Sequence, residues 1–401
     1  MKELQNLRKI DFKDLKSFRE KKISMANETL CEYYFNKANQ LADALHPSIQ
    51  HLVVSDIIEQ NNEAKIYVLN RDTGKGTDQL AYFSAGQYIS IFLKIGTIYT
   101  NHPFPICSSP NDSLKGFYKI LVKQADCDVV SNYILQNWEI GTKIYASQPF
   151  GSFTYEYLRD AKKVIGIAND TGIAAFYSMA QAISDGIDDF SLTILRCVKK
   201  GCDILLKFEL DEISCCCNKI NVDYIRIEQN DEEDVFVTAD VIKEYTTKGE
   251  CSFFVCGHKS LCDNVKHELE SLKIKRKFIR YTNTDFYEDT KGIVGFPKEK
   301  LGNKYSLKLK CHGEVKDIEC SSSKTLLYAL EHGGIGVPSR CRNGACGYCR
   351  SILISGEVFI PEDNDGRRLA DSRFGWIHPC VTYPLSDISI EVYPYNMKSD
   401  L

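Results

Sequence analysis

Four cysteines in the C-terminal quarter of the chain have a spacing that suits an iron–sulfur cluster. Cys341, Cys346 and Cys349 lie in the segment PSRCRNGACGYCR with the pattern C-x4-C-x2-C, and Cys380 follows 31 residues after Cys349. Four thiolates at this spacing hold the two irons of a [2Fe–2S] cluster. Small residues between the first three cysteines let backbone N–H groups approach the cluster, which helps to set its potential. We therefore predict that these four cysteines are metal ligands.

The alternatives for these cysteines are a zinc site or four unrelated thiols. Zinc sites more often contain paired C-x2-C motifs, and only one such pair occurs here. The flanking pattern predicts a hairpin, a helix and two further strands, at 304–311 with 315–320, 323–333, 351–358 and 388–392. From about residue 304 to 394 the segment resembles a plant-type ferredoxin domain over its whole length. The resemblance implies an α+β domain of the β-grasp type at 304–396 and favours the [2Fe–2S] cluster.

The composition is that of a globular protein with several domains. A chain of 401 residues holds about two to four domains. Its 43% hydrophobic residues can build proper cores, and its net charge of −4 gives no indication of nucleic-acid binding. No run of about 18 apolar residues occurs, which predicts no membrane insertion. The N-terminal residues lack the apolar core of a secretory signal, so we expect a cytoplasmic protein.

The cysteine content points to a reducing compartment. The chain has 17 cysteines, and the thirteen outside the cluster motif are scattered. An odd number without a secretory signal argues against a disulfide framework. The run CCC at 215–217 could be a second metal site, but no histidine or spaced partner supports that alternative.

Residues 1–48 are predicted to form a helical extension. Asn27 can cap a helix that runs to about Leu45, because apolar residues recur there at steps of three and four. His46 and Pro47 end this helix. Its apolar stripe must pack on its own chain or on a partner.

From Ile49 the apolar period changes to two, which predicts short antiparallel strands. Turn signals occur at 72–76 and 110–113. About six such strands form a small antiparallel β-barrel, which we predict for residues 49–158. The clearest strand candidates are 51–60, 64–70, 88–93 and 117–124.

The stretch AGQYISIFLKIGTIYTNHPFPICSSP, within this barrel, resembles the flavin-binding segment of the ferredoxin–NADP reductase superfamily. In that family an arginine holds a flavin phosphate, a tyrosine lies against the isoalloxazine ring, and a small polar residue bonds the ring near N5. The resemblance places His102, Phe104 and Pro105 at these positions. Phe104 keeps a π face for stacking. Pro105 has neither an N–H nor a hydroxyl group, and His102 is only a conditional cation.

The resemblance continues through Ile106 and Ser108 and into the segment CDVVSN. In the family a Gly-Gly-x-[VL]-S sequence cradles the flavin phosphate at this place. Both glycines are absent here, and Asp128 brings negative charge close to where a phosphate would sit, while Val130 and Ser131 remain. The resemblance therefore implies a site for FAD, or for the smaller FMN, at these residues. The alternative is a barrel that serves for docking alone.

From Ala161 strands alternate with helices, which predicts a doubly wound parallel α/β sheet for residues 159–286. The predicted strands are 163–168, 191–197, 222–228 and 252–256. The predicted helices are 173–185, 205–213, 238–245 and 260–271.

The first strand–turn–helix of this lobe, VIGIANDTGIAAFYSMA, resembles the superfamily turn that cups the pyrophosphate of a nicotinamide nucleotide. The family's glycines let backbone amides approach phosphate at a helix N-terminus. Asn169 and Asp170 replace two of them, while Thr171 and Gly172 remain. An aspartate at this place competes with an anion for the same donors.

A second marker of the superfamily is Cys-Gly-Pro at the end of a later strand, and it reads Cys256-Gly257-His258 here. The family's cysteine lies near the nicotinamide, which implies a catalytic position for Cys256 and a nucleotide-binding position for Gly257. The resemblance thus implies binding of NADH or NADPH.

The predicted domain order resembles that of the phthalate dioxygenase reductase type of electron-transfer flavoprotein. It is barrel, nucleotide lobe, a linker at 287–303 and a C-terminal cluster domain. The resemblance implies electron flow from NAD(P)H through flavin and [2Fe–2S] to a partner redox protein, with the cofactors supplying the chemistry and the protein positioning them. The alternative is a relative that keeps the cluster as an electron relay or interaction subunit without nicotinamide turnover.

Overall fold

The computed structural model describes residues 17, 20–22, 24, 41–42, 46–125, 128–199, 201, 203–229, 234–246, 249–284, 290, 293–311 and 314–392. The chain divides into two units, Met1–His46 and Pro47–Leu401, and the second contains all of the predicted site residues. In the first unit the described residues before His46 are helical. Most of the predicted N-terminal extension lies outside the described residues.

Six antiparallel strands at the start of the second unit form the predicted barrel. They alternate buried and more exposed side chains, because successive residues of a strand point to opposite faces. The strands are β1 (Gln50–Asn61), β2 (Ala64–Arg71), β3 (Tyr88–Ile95), β4 (Ile98–Pro105), β5 (Phe117–Lys123) and β6 (Lys143–Ala146). Their order is β4-β3-β6-β1-β2-β5. A bridge between Ile106 and Ile120 links the two ends of this sheet.

Two helices accompany the barrel, α1 (Pro110–Lys115) and α2 (Val129–Asn137). The sequence predicted only a turn at 110–113, whereas the structure has the helix α1 there. Ser109 caps α1 through Asn111 N–H, and Asp112 bonds back to the Ser109 N–H, so a capping box turns the segment into a short helix.

A five-stranded parallel sheet follows. Its strands are β7 (Lys163–Ala168), β8 (Ser191–Val198), β9 (Ile220–Arg226), β12 (Ser252–Gly257) and β13 (Ile279–Asn283), and a two-residue pair, β10 (Glu228–Gln229) and β11 (Asp234–Val235), lies between β9 and β12 in sequence. Its helices are α3 (Ile173–Ser184), α4 (Lys207–Cys216), α5 (Ala239–Thr246) and α6 (Lys259–Ser271).

The strand order of this lobe is β13-β12-β7-β8-β9, with β7 and β12 as neighbours in the middle. Helices α3 and α4 pack on one face and α5 and α6 on the other. The central strands are therefore almost entirely buried. In such a sheet the connections from β7 and β12 leave in opposite directions, which opens a crevice at their carboxyl ends.

The C-terminal domain has a five-stranded sheet in the order β15-β14-β20-β16-β18 and a separate β17–β19 pair. Helix α7 packs its apolar residues against this sheet. The strands are β14 (Lys304–Cys311), β15 (Glu314–Ser321), β16 (Ser351–Ser355), β17 (Val358–Phe359), β18 (Trp376–Ile377), β19 (Tyr383–Pro384) and β20 (Ile388–Glu391), and the helices are α7 (Leu326–His332) and α8 (Leu369–Arg373).

The predicted fold class, an antiparallel barrel, a doubly wound parallel lobe and a C-terminal α+β domain, is confirmed by these sheets. None of the helices within the described ranges combines the length and apolar character that crossing a bilayer requires.

Candidate functional site

A cavity of about 910 Å³ lies where the barrel, the parallel lobe and the cluster-motif segment meet. The cavity brings together eight of the residues predicted from the sequence: His102, Phe104, Pro105, Ser131, Thr171, Cys256, Cys341 and Cys346. The other seven are not among the residues that line it: Ile106, Ser108, Val130, Gly172, Gly257, Cys349 and Cys380. One space therefore touches all three predicted cofactor sites.

The four predicted ligands lie in two pairs. Cys349 Sγ lies 3.4 Å from Cys380 Sγ, and the side chains of Cys341 and Cys346 are hydrogen-bonded to each other. Two pairs of thiolates suit two irons, whereas a zinc site needs its four ligands around one ion. In the described part of the chain, no group of three or more His, Cys, Asp or Glu side chains is placed to hold a single metal ion.

Backbone N–H groups of residues 338–350, here called the cluster loop, point at these sulfur atoms. The Cys346 N–H lies 3.3 Å from Cys341 Sγ, and the Tyr348 N–H lies 3.4 Å from Cys346 Sγ. The hydrogen bond with Cys341 lowers the pKa of Cys346, and the same bond raises the pKa of Cys341. Thiolate is the form that binds metal. The four cysteine sulfur atoms and these backbone N–H groups together fit a [2Fe–2S] cluster.

The cluster loop also needs glycine for steric reasons. Gly344 has a φ of +84°, and a Cβ there would lie 2.2 Å from the Asn364 carbonyl oxygen. The Gly344 carbonyl lies 2.8 Å from Nδ1 of the buried His378. A side chain at Gly344 would therefore push the loop away from the segment that leads to Cys380.

A buried ion pair within the C-terminal domain is hydrogen-bonded to the barrel. Arg342 Nη1 and Nη2 each lie 2.7 Å from an oxygen of Glu331 in α7. Arg342 also donates to the Asn101 carbonyl of β4 at 2.8 Å. Ser339 Oγ donates to Asn101 Oδ1 at 2.8 Å, and the Asn101 amide donates to the Ser339 carbonyl. Buried hydrogen bonds therefore join the cluster domain to β4.

At the predicted flavin phosphate position, the chain supplies its own carboxylate. Asp128 is the N-cap of α2, and its Oδ1 accepts from the Val130 N–H at 3.0 Å and the Ser131 N–H at 3.1 Å. Its Oδ2 accepts from the Ser131 hydroxyl. These donors are the ones that the resemblance assigns to a phosphate. A flavin phosphate has to share them with Asp128 or be held by other groups.

His102 is buried beside this carboxylate, with its Nε2 3.5 Å from Asp128 Oδ2. Burial lowers the pKa of His102 to about 4, although the charge of Asp128 opposes this. The ring is therefore neutral at pH 7. Its centroid lies 4.7 Å from that of Phe104. Phe104, together with Tyr88 and Phe150, gives the cavity an aromatic wall that fits a flavin ring.

At the nucleotide turn a second internal carboxylate is held by two basic side chains. Asp170 has a φ of +45°. Its Oδ1 lies 2.7 Å from Lys123 Nζ, and its Oδ2 lies 3.1 Å from His258 Nε2. Burial raises the pKa of Asp170, but the bonds from His258 and Lys123 outweigh it and bring the value down to about 2. Residues 128–131 and 169–172 are here called the two phosphate turns.

The retained glycines of the lobe let the turn after β7 approach β12. A Cβ on Gly172 would lie 2.2 Å from the Cys256 carbonyl oxygen, and a Cβ on Gly257 would lie 1.9 Å from Asn169 Oδ1. Asn169 Oδ1 accepts the His258 N–H at 2.9 Å. Cys256 lines the cavity with a thiol whose pKa is raised by burial. The turn after β7 therefore packs closely against the end of β12, beside the crevice of the sheet. Cys256 is a neutral thiol at neutral pH.

Two protein-family models match the chain. The 2Fe-2S iron-sulfur cluster binding domain matches residues 309–385. The oxidoreductase NAD-binding domain matches residues 167–267.

Curated relatives match along most of the chain. The glycine betaine monooxygenase reductase subunit of Chromohalobacter salexigens is 24% identical over 329 residues, which are 78% of this chain and 88% of that protein. The stachydrine N-demethylase reductase subunit of Rhizobium meliloti is 22% identical over 324 residues, which are 76% of this chain and 87% of that protein.

Among solved structures, phthalate dioxygenase reductase aligns with a TM-score of 0.61 at 19% identity, covering 86% of this chain and 98% of that chain. This likeness shows a shared fold and domain order. The chain therefore contains a [2Fe–2S] domain and an oxidoreductase NAD-binding domain, and it shares the fold of phthalate dioxygenase reductase. The predictions of an oxidoreductase, of a [2Fe–2S] domain and of a nicotinamide nucleotide-binding domain are confirmed. Flavin binding stays a prediction.

Several residues of this reductase-like site were not predicted from the sequence. Lys123 and His258 reach Asp170 from positions 47 and 88 residues away, and no local pattern links them. Arg340 and Tyr348 lie inside the cluster loop itself, so their presence beside the ligands was a signal in the sequence. The roles assigned to individual flavin and nucleotide residues stay predictions.

Proposed function

We propose that this chain is the reductase component of a two-protein oxygenase or demethylase system. It takes electrons from NAD(P)H and delivers them one at a time to the metal centre of a partner protein. The observation that carries this proposal is the single cavity that borders the nucleotide turn at Thr171, the barrel wall at Phe104 and the cluster loop at Cys346. The partner class is supported by the relatives, which are reductase subunits of a monooxygenase and of an N-demethylase.

Bound flavin supplies the conversion of a two-electron hydride donor into single electrons. The chain's own contribution is position and environment. Phe104 offers a π face in the cavity wall, and Thr171 and Cys256 border the end nearest the nucleotide turn. Because Cys256 is a neutral thiol, it places no negative charge there. The site residues predicted from the sequence are proposed to act in these ways.

On the cluster side, the chain stabilises negative charge. The N–H groups of Cys346 and Tyr348 point at thiolate sulfur atoms, and such donors raise the potential of a cluster. The Arg342–Glu331 pair holds the loop against β4. These contacts favour electron transfer between sites that are held in place rather than transfer by a domain movement.

The proposal is tested by comparing two acceptors with NADH as donor. Ferricyanide can take electrons directly from flavin, whereas cytochrome c is reduced efficiently when electrons leave through the cluster. We expect Cys346→Ser to lose cytochrome c reduction and keep ferricyanide reduction. Equal cytochrome c rates in wild type and variant would show that the cluster is not the exit, and the proposal would be wrong.

A second candidate function is a relay subunit that keeps the cluster but does not turn over nicotinamide. The observation that favours it is the pair of internal carboxylates, Asp128 and Asp170, at the two phosphate turns. The same assay separates the candidates. A relay shows no NADH- or NADPH-dependent reduction of either acceptor, while dithionite still reduces its cluster.

We also propose the domain limits predicted above and a location in the cytoplasm. None of the thirteen cysteines whose side chains are described forms a disulfide, which supports a reducing compartment. The buried contacts between the cluster loop and β4 support a cluster domain that docks on the barrel rather than one that swings on its linker.

A further inference from the structure

Arg340 is held between two aromatic rings that come from different domains. Its guanidinium carbon lies 3.9 Å from the ring centroid of Phe150, in the segment that follows β6 of the barrel. It lies 3.5 Å from the ring centroid of Tyr348, inside the cluster loop. Its carbonyl oxygen accepts a hydrogen bond from Ser90 Oγ of β3 at 3.2 Å. All three stacked side chains line the central cavity, as do Cys341 and Cys346.

The chemistry of arginine makes this sandwich specific. A guanidinium is planar and stays charged at all physiological pH values, so it can stack on two ring faces while keeping its cation. A lysine would keep the charge but not the plane, and a glutamine would keep a plane but not the charge. The chain thus offers two variants that separate stacking from electrostatics.

The cation lies next to the ligand pair Cys341 and Cys346. Arg340 directly precedes Cys341 in the chain, and Tyr348, on whose ring the guanidinium stacks, donates its N–H to Cys346 Sγ at 3.4 Å. A fixed positive charge beside thiolate ligands favours whichever state of the cluster is more negative.

We propose that Arg340 is a positioning residue for electron transfer: its cation, clamped between Phe150 and Tyr348, favours the reduced cluster and fixes the cluster loop on the cavity wall. The step it assists is the transfer of one electron, supplied by NAD(P)H through flavin, to one Fe(III) of the cluster, which becomes Fe(II). No bond forms or breaks at Arg340. This inference rests on the proposed function for the electron source only.

The test is the midpoint potential of the cluster, measured by dithionite titration with redox mediators and electron paramagnetic resonance. Arg340→Gln is expected to lower the potential, by an amount that corresponds to about a fivefold to tenfold change in the ratio of oxidised to reduced cluster. Arg340→Lys keeps the charge but loses the planar stacking, so it is expected to lower the potential less than Arg340→Gln does. A potential that is the same in wild type and Arg340→Gln overturns the proposal.

A second variant covers the case in which Arg340→Gln does not retain its cluster. Phe150→Leu leaves the cluster loop unchanged and removes one face of the sandwich, so the cation becomes free to move into solvent. We expect a smaller fall in potential than in Arg340→Gln, together with slower reduction of the cluster by NADH in a single turnover. An unchanged potential and an unchanged rate in Phe150→Leu also overturn the proposal.

Failure of this inference is distinguishable from failure of the proposed function. The potential is measured with dithionite and needs neither nucleotide nor flavin. A wild-type cluster that does not respond to NAD(P)H contradicts the proposed function, while a fall in potential in Arg340→Gln still supports the role of Arg340.

Discussion

The cluster loop and the two phosphate turns each hold negative charge, and they differ in what supplies that charge and in which groups bond to it. In the cluster loop the N–H groups of Cys346 and Tyr348 point at sulfur atoms that become metal ligands. At α2 the corresponding donors bond to the chain's own Asp128. At the turn before α3, the carboxylate of Asp170 pairs with the side chains of Lys123 and His258.

This difference shows how two kinds of site tolerate change. A metal cluster is held by four covalent thiolate bonds, so its ligand cysteines and the glycine that shapes their loop cannot vary. A dinucleotide is held by many weak contacts, and an internal carboxylate that competes for a few of them lowers affinity without abolishing the site. We therefore expect substitutions of the cluster ligands to abolish cluster binding. We expect substitutions at the phosphate turns to change cofactor affinity by degrees.

The largest expected effect is loss of the cluster. Cys346→Ser removes one of the four thiolates, so we expect the visible iron–sulfur absorption to disappear from the purified protein. Cys215→Ser, at an exposed thiol outside the loop, is the matched control and should keep a normal spectrum. A normal spectrum in Cys346→Ser would contradict the assignment of the ligands.

The ion pair that holds the cluster loop should come next. Glu331→Gln leaves Arg342 buried with an uncompensated charge, and we expect a loss of about 3 to 5 kcal/mol in the free energy of unfolding. Glu319→Gln, in an exposed pair with Lys304, should leave urea unfolding unchanged. If both variants unfold at the same urea concentration, the buried pair is not what fastens the loop.

The pH dependence of stability should reveal the Asp170 pair. Because the pKa of Asp170 is lowered to about 2 in the folded chain, its ionised form stabilises the fold above the pKa of the unfolded chain. This contribution, about 2 kcal/mol, is lost as the pH falls from about 4 to about 2. The stability difference between wild type and Asp170→Asn should therefore shrink as the pH falls from about 4 to about 2. A difference that does not change over this range would contradict the ion pair.

The smallest expected effect is on nucleotide affinity. Asp170→Gly removes the competing carboxylate and suits the φ of +45° without strain, so we expect NADH to bind about tenfold more tightly. Asp170→Asn tolerates the same backbone conformation and should give part of this gain through charge alone. Fluorescence titration of NADH measures both. Equal affinities in all three proteins would show that Asp170 does not compete with the nucleotide.

The same comparison explains what the sequence could reveal. The cysteine ligands and the strand β7 were predictable because their signals are local: a fixed spacing in one case and an unbroken apolar run in the other. The start of α4 was placed two residues too early, since Leu206 adopts a left-handed conformation and the helix begins at Lys207. The local sequence pattern does not indicate that Leu206 adopts a left-handed conformation.

The contacts that join the domains were not predictable at all. Thr100 and Glu331 are hydrogen-bonded across 231 residues of sequence, and Asn101 and Ser339 across 238. Each of these side chains is an ordinary polar residue in its own segment. Their role exists only once the barrel and the cluster domain are folded against each other, because burial then forces every polar group to find a partner.

The most direct test of the central claim is an anaerobic titration of the purified, flavin-loaded protein with NADH, followed in the visible spectrum. The account predicts that flavin and cluster bands both bleach at close to stoichiometric NADH, since one cavity borders the nucleotide turn, the barrel wall and the cluster loop. Cluster bands that bleach with dithionite but remain unchanged with NADH and with NADPH would contradict it.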